Sequence, residues 1–233
     1  MLSNFVKKYL GGIWVFGLSA TMLGAGLPMD ETREFRNEHG QRFNASVVSV
    51  EGDEVTLRRT GDNMFETPIA SLSPGARQFV RDWQRAFLVE EHLEVTVNDG
   101  DREENLNEDA FRAGRNVHWG YQLLLENDGE VPIVDLPIRV RIYYYLDRGS
   151  EGKELSYQEF HDVVEEVGAG SRSLYRTPTV MLRELRPEEG TLLIGHDSDS
   201  VEDEVAGMVL HFEPGDFRPD PIFYPESLAE LVE

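Results

Sequence analysis

The chain has 233 residues, 40% hydrophobic, 10% aromatic and 28% charged, a composition that excludes wholesale disorder and is rich enough for two small cores. A net charge of −22 makes phosphate backbones and anionic headgroups poor partners, so no nucleic-acid role is expected. Cysteine is absent, which rules out disulfides, thiolate zinc sites and thiol nucleophiles together.

The charge is unevenly placed. Residues 1–28 carry only Lys7 and Lys8; residues 29–89 hold eight arginines against ten acids; residues 90–233 hold twelve basic residues against thirty-four acids. The excess acid therefore belongs to the C-terminal part, where it favours cationic ligands or serves solubility.

Met1 to Lys8 has the layout of a signal n-region, and Tyr9 to Leu27 follows without a charge. Small residues Gly24, Ala25 and Gly26 offer processing after Gly26. The competing reading of residues 1–27 is an uncleaved anchor of spanning length, against which five glycines in the run weaken apolarity and helix propensity. Either way the rest of the chain is expected to be exported, to the periplasm, cell envelope or exterior, with membrane contact only through this segment if it is uncleaved.

From Arg33 short β-prone runs alternate with turn signals. Phe43 to Val50, Val55 to Arg59 and Met64 to Ile69 read as a three-stranded meander, with turns at Glu51-Gly52-Asp53 and Gly61-Asp62-Asn63. Val55 and Leu57 alternate with Glu54, Thr56 and Arg58, as a sheet with one wet face requires. Ser71-Leu72-Ser73-Pro74 then sets up a capped helix with proline in its first turn, which places Phe79, Val80 and Trp83 against the sheet.

This stretch, residues 29–87, resembles the Sla-one homology domain one family on Arg33, Phe35, Gly40, Ala45, Val48, Val50, Val55, Leu57, Arg58, Pro68, Ile69, Leu72, Ser73, Phe79 and Val80. The resemblance implies a small SH3-like barrel with a C-terminal helix and a role in binding short peptide motifs. Phe35 stands where the family usually shows Trp, and no ligand contact is carried over from the family. On physical grounds an extended peptide lies across aromatic side chains in a groove of such a barrel. Phe35, Phe43 and Phe65 are candidates for its floor, with Arg58 and Arg59 for acidic residues of the ligand; Phe43 and Phe65 sit at strand positions that a barrel of this size needs for its core, and core packing is the stronger reading of both. The two arginines are adjacent in a strand and face opposite sides, so only one can line the groove; Arg58 is grouped with the phenylalanines.

Residues 90–233 again read as β. Leu93 to Val97, Val117 to Leu125, Leu136 to Leu146, Ser173 to Leu182, Thr191 to Ile194 and Val205 to Phe212 are expected strands, and Tyr157 to Val167 leans the same way. The fold class is accordingly all-β: the small barrel followed by an acidic antiparallel sandwich, loosely similar to immunoglobulin and fibronectin modules. Ile138, Val140, Ile142 and Tyr144 alternate with Arg139, Arg141, Tyr143 and Tyr145, giving one apolar face and one basic, aromatic face. Pro225 to Leu231 reads as a short closing helix.

Chemistry-bearing motifs are sparse. Asp197, Asp199, Glu202, Asp203 and Glu204 crowd one loop, yet lack the central glycine and spaced glutamate of a calcium loop. His39, His92, His118, His161, His196 and His211 form no zinc-type pair, and no nucleophile elbow, phosphate loop or dinucleotide fingerprint occurs. No catalytic residue, metal or cofactor is expected. The leading reading is a non-catalytic adaptor of the cell envelope that binds a protein or peptide through the barrel. The alternatives are a carbohydrate- or calcium-dependent surface module, with Tyr143, Tyr145 and Trp119 as stacking rings, and a purely structural envelope protein.

Overall fold

The structure, a computed structural model, describes residues 31–109, 112–187 and 200–232. The leader lies outside these residues, as do the expected strand Thr191 to Ile194, His196, Asp197 and Asp199. The chain is all-β, with antiparallel sheets and one long helix.

The first sheet has four strands in sequence order rather than three: β1 (Arg33–Arg36), β2 (Arg42–Glu51), β3 (Glu54–Arg59) and β4 (Met64–Pro68). β1 is short and carries one apolar residue, so no period is visible in it; register across β2, with Phe35 opposite Phe43, makes it a strand. Val55 and Leu57 are fully buried, as their alternation requires. Helix α1 (Pro74–His92) follows, its Ser73 hydroxyl accepting from Ala76 N at the N-terminus and Pro74 in the first turn. Val80, Trp83 and Ala86 join Phe35, Ala45, Val47, Val55, Leu57 and Leu72 in one core.

The helix does not stop at residue 87. It continues to His92, and Leu88 and Val89 enter a second core, that of the sandwich. One sandwich sheet runs β11 (Val201–Glu202), β10 (Val180–Pro187), β6 (Arg112–Asn127), β5 (Leu93–Asp109), with β9 (Ser171–Arg176) also pairing with β6. The other runs β13 (Ile222–Tyr224), β12 (Glu204–Phe212), β7 (Ile133–Asp147), β8 (Lys153–Val167). The chain crosses between sheets after β6, returns with β9 and β10, and crosses again with β12, the immunoglobulin/fibronectin-like arrangement. Leu123, Leu125, Ile138, Val140, Ile142, Met208 and Leu210 fill the space between the sheets.

Several elements depart from the sequence pattern. The run Ser173 to Leu182 is two strands, because Tyr121 N donates to the Thr177 hydroxyl and Thr177 N to the Tyr121 carbonyl just before Pro178, where the ladder breaks. The stretch Asn98 to Asp109 is polar enough to read as loop, yet it continues β5 because β6 pairs with it. Within it a bulge separates Asp99 from Arg102, and Gly100 lies so close to the Gly120 carbonyl that a Cβ there would be 2.0 Å from the oxygen.

The two cores are bound to each other by the segment after β12. Phe217, 2% exposed, enters the first core against Phe79, ring centroids 5.3 Å apart. Gly215, at φ +60, seats the turn on α1: a Cβ there would come within 2.5 Å of the Asp82 carboxylate. Arg85, on the same helix, pairs with Asp82 at 2.9 Å and donates to the Val134 carbonyl in β7 at 2.8 Å. At the helix end His92 meets Asp128 at 2.9 Å, beside the turn that fully buried Asn127 builds by donating to the Val131 and Val167 carbonyls. Truncating the Phe217 ring by Phe217→Ala is expected to cost about 3 kcal/mol or more, as for other buried aromatics. Urea unfolding should show it, with the amides of β1 to β4 losing hydrogen-exchange protection first; unchanged protection there would show that the first core does not need the ring.

Candidate functional site

The concave face of the first sheet is covered by α1 along part of its length and open along the rest. The open part is a cleft of about 510 Å³ lined by the β1–β2 turn, Phe43, Arg59, Phe65, Thr67 and the segment Ser71-Leu72. Its turn wall is rigid for a local reason. Asn37 Oδ1 accepts from His39 N and Gln41 N at 3.0 and 2.9 Å, and Asn37 Nδ2 donates to Gln41 Oε1 at 2.8 Å, with Gly40 supplying the positive φ. The opposite wall is held to it by Glu38 N donating to Ser71 O and Ser73 N to Arg36 O, both at 2.8 Å. Thr67 and Ser71 hydroxyls lie 2.9 Å apart, and Ser71 also donates to Pro68 O.

Phe43 and Phe65 meet edge to face, centroids 5.8 Å apart, and both are half-buried. The Arg59 guanidinium lies over both, 4.6 Å from the Phe65 centroid and 5.3 Å from that of Phe43, within the range of a cation–π contact. No carboxylate partner of Arg59 occurs among the described residues. The cleft therefore offers an aromatic floor and one cation, with exposed His39 and Arg42 at the rim.

The structure brings Phe43 and Phe65 together here and separates the other two sequence candidates. Phe35 is 1% exposed and stacks under Phe43 at 5.8 Å, supporting the floor from inside the core rather than lining it. Arg58 lies on the opposite face of β3, and Arg59 takes the place next to the rings. The register explains the exchange: Arg59 is opposite Ala45 and two residues from Leu57, on the core side of the strand. Asn37, Thr67 and Ser71 carry no sequence signal beyond turn chemistry.

Among the rival residues Tyr143, Trp119, Asp203 and Glu204 are engaged within the fold, and Tyr145 is half-buried on β7. Tyr143, 8% exposed, packs with Val209 and Leu228 under the closing helical segment Glu226–Leu228 and α2 (Ala229–Val232), so it offers no flat stacking face. Trp119 packs on the sandwich core. In the acidic loop, Asp203 has a side chain only 1% exposed that accepts from Asp147 N, Arg183 N and Arg183 Nε, at 2.9 to 3.0 Å. Glu204 pairs with Lys153 at 2.8 Å. Asp147 in turn accepts from Glu202 N and Gly149 N, which holds its carboxyl below the usual range. These acids fasten the end of β7 to β10 and β11.

Beyond the closing helix, the outer face of β7, β8 and β12 is an ionic lattice. Arg139 lies 2.9 Å from Glu213 and 3.5 Å from Glu159, Arg141 also pairs with Glu159, and His161 is 3.2 Å from Glu159. His211 sits opposite Arg139. Burial, reinforced by Arg139 and Arg141 and opposed by Glu213 and Glu159, pushes its pKa below the ordinary 6.5.

No protein-family model and no curated protein matches the chain. A solved structure described as "X-ray structure of Northeast Structural Genomics Consortium target SoR45" aligns over 58% of this chain and 87% of that one, at 10% identity and a TM-score of 0.26, a likeness that carries no argument. Among the described residues no helix is long and apolar enough to cross a membrane.

The lattice has a pH signature. The fold resists protonating His211, so its contribution to stability is present above the ordinary value of 6.5 and is lost as pH falls through the lower folded value. Urea unfolding from pH 7.5 to 5 is expected to show falling stability, with a shallower fall in His211→Gln; an NMR titration placing the native His211 pKa at or above 6.5 would contradict this.

Proposed function

We propose that the chain is a non-catalytic protein-binding protein of the cell envelope that takes a short extended peptide in the Phe43–Phe65 cleft. The observation that carries this reading is the open aromatic floor with Arg59 lying over it. Half-buried rings on a pre-formed sheet give contact area at low entropic cost, and a cation with no carboxylate partner among the described residues favours a peptide with an acidic residue beside its anchor. The resemblance to the Sla-one homology domain one family supports the same role, and the leader supports an exported location. A second point in its favour is that Tyr143 and Asp203, on which the tyrosine and acidic-loop alternatives draw, are already spent on packing and on Arg183.

Because Phe217 completes the core beneath the cleft, the binding test uses the full chain rather than residues 29–87. A randomised peptide library selected on the full chain, and read by fluorescence anisotropy, is expected to yield ligands whose affinity falls at least about tenfold with Phe65→Ala or Arg59→Glu, the loss expected for a central interface contact. Arg58→Glu, on the other face, should leave binding within about twofold under the same reasoning. Ligands equally insensitive to all three substitutions would place binding elsewhere.

A further inference from the structure

Strand β5 is the outermost strand of its sheet, paired with β6 along its length and with no strand on its other side among the described residues. An outermost strand presents unpaired N–H and C=O groups to any extended chain that approaches. β5 is 17 residues long, and its bulge at Asp99 sets off a straight run from Leu93 to Asp99.

Two further observations say what would fit this edge. Leu93, Val95 and Val97 pack on the sandwich core but remain only half-buried, with no strand beside them on the open side among the described residues. An added strand with apolar residues at alternate positions completes their cover. The strand also carries seven acidic residues against the single Arg102; within the straight run Glu94 is exposed on the face opposite Leu93, Val95 and Val97, while Asp99 ends the apolar row opposite Tyr121. A second copy would set like charge against like, so the acid that blunts self-pairing selects a cationic partner.

We propose that β5 is a strand-addition site for an extended peptide that alternates apolar residues with lysine or arginine. The partner's backbone pairs with the Leu93–Asp99 edge, its apolar row covers Leu93, Val95 and Val97, and its cations lie on the opposite face, beside Glu94. This surface is separate from the Phe43–Phe65 cleft.

The probe is a nine-residue peptide alternating Val and Lys, titrated onto the full chain by anisotropy, with a Val/Glu peptide of the same length as control. Two further versions are N-methylated at every Val or at every Lys, which removes the donors of one strand edge at a time. Strand addition predicts that Val/Lys binds and Val/Glu does not, and that one N-methylated form loses at least about tenfold in affinity while the other binds as the parent, since each lost backbone hydrogen bond weakens pairing. Amide exchange should slow in residues 93–99. Failure of Val/Lys to bind, equal behaviour of the two N-methylated forms, or protection confined to other strands each overturns the proposal. Phe65→Ala should leave this binding unchanged.

Discussion

Val80, Trp83 and Ala86 sit in one core, and Leu88 and Val89, within the next turn and a half of the same helix, sit in another. An α-helix turns its side chains through about 100° per residue, so consecutive turns can face different layers only if those layers approach from different sides. α1 meets this demand by passing from the core face of the first sheet to the sandwich, with Phe87 touching both cores. The position of the first sheet relative to the sandwich, the seat of the Phe217 turn and the clearance that leaves the cleft open all depend on that shared helix. Trp83 and Phe87, stacked at 5.5 Å, form the aromatic seam where the cores abut.

Much of this was legible in the residues alone. The meander, the Ser73 cap and the alternation of β3 follow from local rules that act within a few positions, and so does the apolar row Ile138, Val140 and Ile142 of β7. What escaped were the features fixed by distant partners. β1 is a strand because β2 lies beside it, Asn98 to Asp109 because β6 does, and Tyr143 is buried because the closing helix folds over it. That one helix serves two cores escaped for a different reason: Leu88 and Val89 carry the same period whether they cover one core or two.

The candidate site was legible in its rings and, through the alternation of β3, in its cation. Phe43 and Phe65 are bulky apolar residues near strand ends, a pattern visible without a structure. Arg59 continues the row of Val55 and Leu57 and so shares their core face, whereas Arg58 falls with Thr56 on the other. The depth of Phe35 was not legible: pairing with Phe43 across the sheet and Phe79 of the helix against its ring place it inside the core rather than on the floor.

The Phe217 ring also governs when the fold can close. Phe79, Trp83 and the strands they cover are made early, but the side chain that seals them lies almost at the other end of the chain. At ribosomal rates of roughly 5–20 residues per second, the first module waits on the order of ten seconds for its last core residue. Until then the apolar surface that Phe217 covers stays open. The contact that unites the finished molecule thus delays the completion of its N-terminal half until the sandwich strands have been synthesised.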